Sequence, residues 1–473
     1  MSLALNDTIC AVATPPGQGG IGIVRLSGEK AIDVAAQIVR LRGKQDLKDV
    51  TPRGLCHADL IEVAAAADRA GSARCIDDAL VVVMPSPHSY TGEDVVEIHC
   101  HGGPFLLERV CEQLIALGAR LAQPGEFTRR AFLNGKLDLA QAEAVLDTIR
   151  AKTANGLRMA QEQLQGTLSK EIDGLRERLI GLLAHLEAAI DFTEEDITFV
   201  SGEALTGQLE QAVAVLVRLA DSATEGRIFR DGLTTAIIGR PNVGKSSLLN
   251  ALLRTDRAIV TAIPGTTRDV LEEAVNIRGI PVRLFDTAGL RETNDPVEHE
   301  GIARSLKTLG EAELVLLVLD GSVPLTEEDR DLIRRCREMN LLLVVNKIDL
   351  GPGLPVELFD EDRPHGGTVR TVRISAKTGA GLDDLRDTIR SMFVRPDFEP
   401  NEAAVVTTLR HRTCVLNAAD ALRRSLQSVQ EHLSNEFIAM DLRGAIDALG
   451  EITGAVTTDD ILERIFSQFC IGK

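Results

Sequence analysis

Short stretches in which apolar residues alternate with polar ones, or run continuously, predict β-strands in the first 134 residues. These stretches are GGIGIVRLSG (19–28), DALVVVMP (78–85) and VVEIHCHGG (95–103). The segment FLLERVCEQLIALG (105–118) has the helical period instead. The N-terminal region is therefore expected to be a mixed α+β domain.

Two other regions have the spacing of long amphipathic helices. In the first, apolar residues recur mostly three, four or seven positions apart, at Leu157, Leu164, Leu168, Ile172, Leu175, Leu179, Leu182, Leu186 and Ile190. In the second, residues 402–469, DLRGAIDALGEIT is the clearest amphipathic stretch. Packing accounts for these leucines, and the simplest interpretation is one helical domain made from both regions.

Between the helical regions, TTAIIGRPNVGKSSLLNAL has the strand, loop and helix order of a P-loop. Glycines there bring backbone N–H groups close to phosphate oxygens, and the lysine supplies a point charge. Lys245 and Ser246 are thus predicted to contact phosphate and Mg²⁺, respectively. Asp286, which ends the apolar run VRLF, is positioned to hold Mg²⁺ through water.

Further motifs follow in the order found in translation-factor-type GTPases. Asp349, in LLLVVNKIDL, can accept from the N1 and N2 donors of guanine, which adenine lacks, and VRISAKTG can meet the guanine O6. IPGTTRD supplies a candidate switch, in which Thr267 is a second Mg²⁺ ligand. The predicted GTP contacts are Asn242, Val243, Gly244, Lys245, Ser246, Ser247, Thr261, Ala262, Ile263, Pro264, Gly265, Thr266, Thr267, Asp286, Thr287, Ala288, Gly289, Asn346, Lys347, Asp349, Ser375, Ala376 and Lys377.

One position separates this domain from Ras itself. Ras has a glutamine that orients the attacking water, and this chain has Leu290 there, so hydrolysis must be assisted from elsewhere. Asn242 resembles the P-loop asparagine of potassium-activated GTPases. That resemblance implies a K⁺ site formed by Asn242 with Thr261, Ile263 and Thr266. The alternative is that Asn242 only forms a turn after Pro241.

These patterns predict a multidomain protein of α/β and α structure. We expect an N-terminal mixed α+β domain (1–134), a helical domain in two parts (135–228 and 395–473), and an inserted Ras-like P-loop GTPase domain (229–394).

Composition narrows the classes of function. The net charge of −18 and the 3% aromatic content, with no Trp, argue against a generally basic or aromatic nucleic-acid surface. Eight dispersed cysteines without a CxxC pair favour reduced thiols. His99 and Cys100 would point to opposite faces of a strand, which disfavours a metal site there.

The sequence also predicts where the protein is located. No signal peptide or run of about 18 apolar residues is found, so we expect a cytoplasmic protein without membrane attachment.

The chain as a whole resembles the MnmE (TrmE) family of tRNA wobble-uridine modification GTPases. The resemblance is carried by DTICAVATPPGQGGIGIVRLSG, SYTGEDVVEIHCHGG, PGEFTRRAFLNGKLDLAQAEAV, the inserted GTPase domain and the terminal FSQFCIGK. It implies a homodimer that binds 5,10-methylene-tetrahydrofolate, or 5-formyl-tetrahydrofolate as an analogue. It also implies an FAD-dependent partner, MnmG (GidA), in a heterotetramer-type complex, with tRNA as the shared substrate.

The resemblance also implies roles for particular residues. The folate contacts would be Arg25, Glu97, Lys136 and Lys473, and Glu298 would be the catalytic glutamate that orients water. Each has a simpler alternative, since Arg25 and Glu97 also suit a strand surface and Lys136 or Glu298 a helix start.

The tail QFCIGK admits two interpretations. Prenylation is disfavoured because Gly472 and Lys473 are poor occupants of the last two positions and no polybasic segment precedes them. The family resemblance instead brings the tail to the folate site. There Cys470 is a candidate nucleophile toward C6 of a pyrimidine, with a positioning role as the alternative.

Two other functions compete with the tRNA modification GTPase. A ribosome-assembly GTPase of the Era or Der kind would share the GTPase motifs but carry a basic RNA-binding domain. A folate-dependent aminomethyltransferase with a regulatory GTPase would work without a flavoprotein.

Overall fold

The computed structural model describes residues 7–43, 46–62, 74–191, 202–256, 272–286, 312–351, 369–396, 398 and 404–473. These residues divide into two units, each described by itself. The first contains residues 7–146 and 450–473, and the second contains the described residues between 147 and 449. The domain boundaries expected at 134, 228 and 394 stay predictions.

The first unit is built on a mainly antiparallel sheet with the strand order β3-β4-β5-β6-β2-β1-β7. Its strands are β1 (Ile9–Val12), β2 (Gly19–Ser27), β3 (Val39–Leu41), β4 (Leu55–Ile61), β5 (Cys75–Met84), β6 (Val95–Gly102) and β7 (Arg120–Leu121). In β2, Val24 and Leu26 are buried in the core. Arg25 lies between them and so faces the opposite side of the sheet.

Helices pack on both faces of this sheet. The helices α1 (Ala31–Ala35) and α2 (Pro104–Ala116) cover the face that carries Val24 and Leu26, whereas α3 (Glu126–Leu133) packs through Phe127 on the opposite face. Near the end of the chain, α14 (Asp459–Phe466) contacts α3, and α4 (Leu139–Arg150) begins here. Leu107, Val110 and Leu114 of α2 are buried against the sheet. The predicted strands at 19–28, 78–85 and 95–103 and the predicted helix at 105–118 are confirmed.

The second unit contains a sheet with the order β13-β12-β11-β8-β10-β9. Its strands are β8 (Leu233–Ile238), β9 (Glu272–Ile277), β10 (Ile280–Asp286), β11 (Leu314–Asp320), β12 (Leu341–Asn346) and β13 (Arg370–Arg373). All neighbours are parallel except β9 and β10. The helices α9 (Lys245–Asp256), α10 (Glu327–Arg335) and α11 (Leu382–Phe393) complete this P-loop-type α/β layer.

Long helices form the rest of the second unit: α5 (Ala154–Leu164), α6 (Thr167–Asp191), α7 (Gly202–Asp221), α12 (Leu409–Gln430) and α13 (Asn435–Thr453). The predicted apolar face of α6 is buried from Leu168 to Leu186. Leu157 does not belong to the buried apolar face that the spacing predicted, because it is 43% exposed. Met159 and Ala160 supply the buried face of α5 instead. The predicted combination of mixed α/β and helical structure is confirmed.

The short helix α8 (Ala223–Asp231) connects many parts of the second unit. Side chains in or next to it contact segments far apart in sequence, namely Ser222 with Val406, Glu225 with Arg395, Arg227 with Glu313, Phe229 with Phe398, and Arg230 with Asp147. Because α8 leads through Gly232 directly into β8, these contacts fix the strand that precedes the P-loop.

Candidate functional site

The P-loop follows β8 and depends on two close backbone approaches. Gly239 has a φ of 145°, and a Cβ there would lie 2.4 Å from the Val318 carbonyl oxygen. Gly244 has a φ of 100°, and its Cβ would lie 2.2 Å from Asn346 Nδ2. Only glycine fits both places. Asn242 also has a positive φ, 64°, which asparagine tolerates better than most residues.

The Lys245 ammonium is held over this loop. Its Nζ donates to the carbonyl oxygens of Gly239 and Arg240, at 2.7 and 2.8 Å. Ser246 and Ser247 are exposed in the first turn of α9, where the helix N-terminus favours an anion. Val243 is buried and contributes its backbone. The loop therefore presents a cation and backbone donors together, as phosphate binding requires.

Residues of the predicted base site link several loops at the carboxyl ends of parallel strands. The Asn346 Nδ2 donates to the Val243 carbonyl at 2.9 Å, and its Oδ1 accepts from the Ala376 backbone N–H at 3.0 Å. The Ser375 hydroxyl donates to Asp349 Oδ1 at 2.7 Å. Asn346 thus joins the P-loop to the SAK motif, and Ser375 orients the carboxylate expected to bind guanine.

Lys347 has a partner that sequence analysis missed. The Lys347 Nζ lies 2.6 Å from Asp320 Oδ2, at the end of β11. Burial opposes ionisation of Asp320, but hydrogen bonds from Lys347 and Ser322 outweigh it and lower the pKa of this carboxyl. The available signal was a carboxylate at the carboxyl end of a strand, the edge where α/β sheets bind ligands. Lys377 is exposed next to the same loops.

Several predicted site residues lie outside the described residues. They are Thr261, Ala262, Ile263, Pro264, Gly265, Thr266, Thr267, Thr287, Ala288, Gly289, Leu290 and Glu298. The backbone of Asp286 ends β10, as expected from the apolar run before it. The roles of these residues stay predictions.

In the first unit, the end of the chain lies against Arg25 and Glu97. These two residues are direct cross-strand partners on β2 and β6, and Arg25 Nε donates to Glu97 Oε1 at 2.8 Å. Arg25 NH1 also donates to the Gly472 carbonyl at 3.4 Å. Sheet and tail thus place Arg25, Glu97 and the residue before Lys473 together. We call this arrangement, with Tyr90, Phe127 and Lys473, the tail pocket.

Two aromatic rings complete the tail pocket, and neither was predicted. The Arg25 guanidinium carbon lies 5.7 Å from the ring centroids of both Tyr90 and Phe127. The Lys473 Nζ lies 6.0 Å from the Tyr90 centroid. Burial, and then the nearby Arg25 charge, lower the pKa of Lys473, while Glu97 acts in the opposite direction. The pocket therefore combines two cations, a carboxylate and aromatic faces.

Lys136 and Cys470 approach the neighbouring backbone. Lys136 Nζ donates to the Pro87 carbonyl at 3.1 Å, in the loop that carries Tyr90. The Cys470 carbonyl accepts from the Gly125 and Lys473 backbone N–H groups, at 3.4 and 3.3 Å, and the cysteine itself is exposed. The structure thus holds the tail backbone beside α3.

Tyr90 gives the tail pocket a spectroscopic signal of its own, because the chain has one Tyr and no Trp. Burial raises the pKa of Tyr90, and the hydrogen bond with Thr128 Oγ1 and the Arg25 charge only partly offset this. We expect tyrosinate absorbance near 295 nm to appear with a midpoint above the ordinary value of about 10. Because the folded pKa is raised, the associated stability is present below the unfolded pKa and is lost as the pH rises through the folded one.

The matched control for this titration is Tyr90→Phe, which should remove the absorbance change altogether. A midpoint at or below that of free tyrosine in the wild-type protein would contradict the burial of the phenol.

The remaining sequence candidates form no further site in the described ranges. His99 is half-buried and contacts Glu97, at 3.3 Å, whereas Cys100 is buried on the other face of β6. Within the described part of the chain, no three His, Cys, Asp or Glu side chains are grouped so as to hold a metal ion. No described helix has the length and apolarity needed to cross a bilayer.

Comparison with known proteins covers almost the whole chain. A family model described as "GTP-binding protein TrmE N-terminus" matches residues 8–136, and one described as "MnmE helical domain" matches residues 139–470. The tRNA modification GTPase MnmE of Alkaliphilus oremlandii is 41% identical over 472 residues, covering 99% of this chain and 100% of that protein. The protein of the same name from Heliobacterium modesticaldum is 46% identical over 476 residues, with the same coverage.

Among solved structures, the G domain of the T. maritima FeoB iron transporter is 30% identical, with a TM-score of 0.25. The match covers 34% of this chain and 99% of that one. Era in complex with MgGDPNP and a 16S ribosomal RNA fragment is 29% identical, with a TM-score of 0.29, over 40% of this chain and 66% of that one.

Proposed function

The chain belongs to the MnmE family of tRNA modification GTPases, and on that basis we propose that it couples potassium-activated GTP hydrolysis to modification of wobble uridine 34 in tRNA. With MnmG (GidA), it would add an aminomethyl or carboxymethylaminomethyl group to C5 of that uridine. The one-carbon unit would come from 5,10-methylene-tetrahydrofolate. Membership in this family removes the ribosome-assembly GTPase of the Era or Der kind as an alternative.

The nucleotide half of the proposal rests on the P-loop and the loops joined to it. Lys245 is held where a phosphate can be neutralised, and Asn346 ties the P-loop to the loop expected to contact guanine. The residues proposed to hold Mg²⁺ are Ser246 and Thr267, and Glu298 is proposed to orient water. Lys245, on this view, stabilises the negative charge that builds on the phosphate oxygens.

The proposed K⁺ site uses Asn242 with Thr261, Ile263 and Thr266. Asn242 is exposed on the P-loop, and its left-handed backbone is set by the turn. Because the side chain is exposed, its amide oxygen is accessible to a cation. A monovalent cation there would supply the charge that an arginine finger supplies in other GTPases.

The observation that carries the folate half is the tail pocket. Carboxylates of a reduced folate suit the cations Arg25 and Lys473, its pterin N–H donors suit Glu97, and its flat ring suits Tyr90 and Phe127. Lys136, which contacts the loop that carries Tyr90, is proposed as a third cation for these carboxylates. Cys470 remains the proposed nucleophile, or else a positioning residue. We place the reaction in the cytoplasm and assign the chain a homodimeric state.

The test is a reconstitution from purified protein, MnmG with FAD, tRNA, GTP, methylene-tetrahydrofolate and an amine, either ammonium for the aminomethyl group or glycine for the carboxymethylaminomethyl group, with each component omitted in turn. We expect modified uridine 34 only in the complete mixture. Product without MnmG would favour the aminomethyltransferase alternative and contradict the proposed partnership.

In the same reconstitution, replacing K⁺ by Na⁺ should slow GTP turnover. An arginine finger is worth on the order of 10³- to 10⁵-fold in rate, so loss of a cation at that position should cost at least ~10-fold. Asn242→Ala should show the low rate in both salts. Equal turnover of the wild-type protein in K⁺ and Na⁺ would remove the cation role of Asn242.

A further inference from the structure

A buried network of charged side chains lies directly behind the tail pocket. Arg130 is its centre, with a side chain only 3% exposed. Its guanidinium donates to the Asp7 carbonyl and carboxylate, to both carboxylate oxygens of Glu93, and to Glu126 Oε1. Glu126 is equally buried and also accepts a fork of two bonds from Arg120, at 2.8 and 2.6 Å.

The network residues alternate with the pocket residues along the chain. Glu93 follows Tyr90 by three positions in the same loop, while Phe127 lies between Glu126 and Arg130 on α3. Arg130 therefore connects the loop that carries one ring of the pocket to the helix that carries the other. The hydrogen bond of 2.9 Å between the Tyr90 hydroxyl and Thr128 Oγ1 makes the same connection inside the pocket.

Stability alone does not explain so many buried charges. Removing ions from water is costly, and apolar side chains of similar volume often hold two elements together equally well. Unlike an apolar side chain, a planar guanidinium fixes the geometry of the elements that it joins. Its donors have fixed directions and bind several acceptors at set distances. The loop with Glu93 receives a further bond, of 2.7 Å, from the buried hydroxyl of Ser27.

We propose that Arg130 is a positioning residue of the tail pocket, which holds the Tyr90 loop and α3 at the separation that places Arg25 between the two rings. This spacing makes the tail pocket selective for a planar ligand that carries carboxylates. The ligand part of this inference rests on the proposed folate function. The positional part rests on the contacts alone.

The experiment compares the wild-type protein with Arg130→Lys, with Arg130→Met, and with the pair Glu93→Gln/Arg130→Met. Lysine keeps the charge but cannot bridge the three carboxylates, and the double variant removes one cation and one anion together. Arg109→Lys, at an exposed ion pair of α2, is the matched control. Binding of tetrahydrofolate is measured by calorimetry, the Tyr90 environment by titration at 295 nm, and folding by thermal melting.

We expect Arg130→Lys to weaken tetrahydrofolate binding at least ~10-fold, the scale of withdrawing hydrogen bonds from charged groups. The Tyr90 midpoint should move toward that of free tyrosine in the same variant. The double variant should melt closer to the wild-type protein than Arg130→Met alone, yet still bind poorly. If Arg130 had a purely structural role, the double variant would regain tetrahydrofolate binding together with thermal stability.

A failure of the proposed folate function can be distinguished from a failure of the positioning role of Arg130. If the wild-type protein does not bind tetrahydrofolate but the Tyr90 midpoint still moves in Arg130→Lys, the proposed function is wrong and the positioning role stands. If the Tyr90 midpoint and the affinity both stay at wild-type values in Arg130→Lys, or if the double variant regains full affinity, the positioning role is wrong.

Discussion

Replacing Asp349 by asparagine is expected to move the base preference of this GTPase from guanine to xanthine. A carboxylate accepts from the N1 and N2 donors of guanine, whereas an amide can donate to the oxygen that xanthine carries at C2. The Ser375 hydroxyl, 2.7 Å from Asp349 Oδ1, can bond an amide oxygen equally well, so the side chain should keep its orientation. Two charge-assisted bonds are lost, at about 1.5–3 kcal/mol each, so GTP affinity should fall on the order of 10²- to 10⁴-fold.

The measurement is steady-state turnover of GTP and XTP by the wild-type protein and Asp349→Asn. Asp384→Asn is the control, since Asp384 is an exposed carboxylate in the first turn of α11. A variant with wild-type KM for GTP and no gain with XTP would show that Asp349 does not read the base.

The second large effect is expected from Gly472→Val. Gly472 has a φ of 101°, and a Cβ there would lie 2.3 Å from the Val12 carbonyl oxygen and 3.0 Å from Ala13 Cα. A β-branched residue would face backbone strain of about 1–3 kcal/mol, with a comparable cost from the clash. The tail should leave Arg25, and tetrahydrofolate affinity should fall at least ~30-fold.

Calorimetric titration with tetrahydrofolate checks this expectation. Gly118→Val is the matched control, because Gly118 also has a positive φ, 106°, but a Cβ there meets no atom within 4 Å. GTP turnover without tRNA should be unchanged in both variants. Wild-type affinity in Gly472→Val would show that the seated tail is not part of the binding site.

Hydrophobic periodicity predicted most of the architecture because it depends on neighbours in sequence. The strands that contain Arg25 and Glu97, and the long apolar face of α6, follow from spacing alone. Leu157 is the exception. It lies on α5, whereas the regular spacing belongs to α6, and a single leucine before the pattern does not show which face of its own helix is buried. The P-loop was equally readable, because its glycines meet geometric demands within eight residues.

The tail pocket was harder to predict because its contacts are distant in sequence. Arg25 and Gly472 are 447 positions apart, and only the family resemblance connected them beforehand. Tyr90 and Arg130 have no local pattern that marks them, as their roles arise from what the fold places opposite them. Asp320 was missed for the same reason, since its partner Lys347 follows the neighbouring strand β12, 27 positions further along the chain.

The contacts of α8 have a consequence for evolution by domain exchange. Its side chains pair with Asp147 before it, with Glu313 inside the nucleotide-binding domain, and with Arg395 and Phe398 after α11. A transplanted nucleotide-binding domain that leaves α8 behind would separate Arg227 from Glu313, and one that takes α8 but ends at α11 would separate α8 from Arg395 and Phe398. Lineages that acquired this module should therefore have inherited α8 with it, and the return segment around Val406 should have coevolved with α8 rather than with the P-loop. Engineered chimeras that join two relatives should function best when both crossover points lie outside residues 147–406, which keeps all these pairs together.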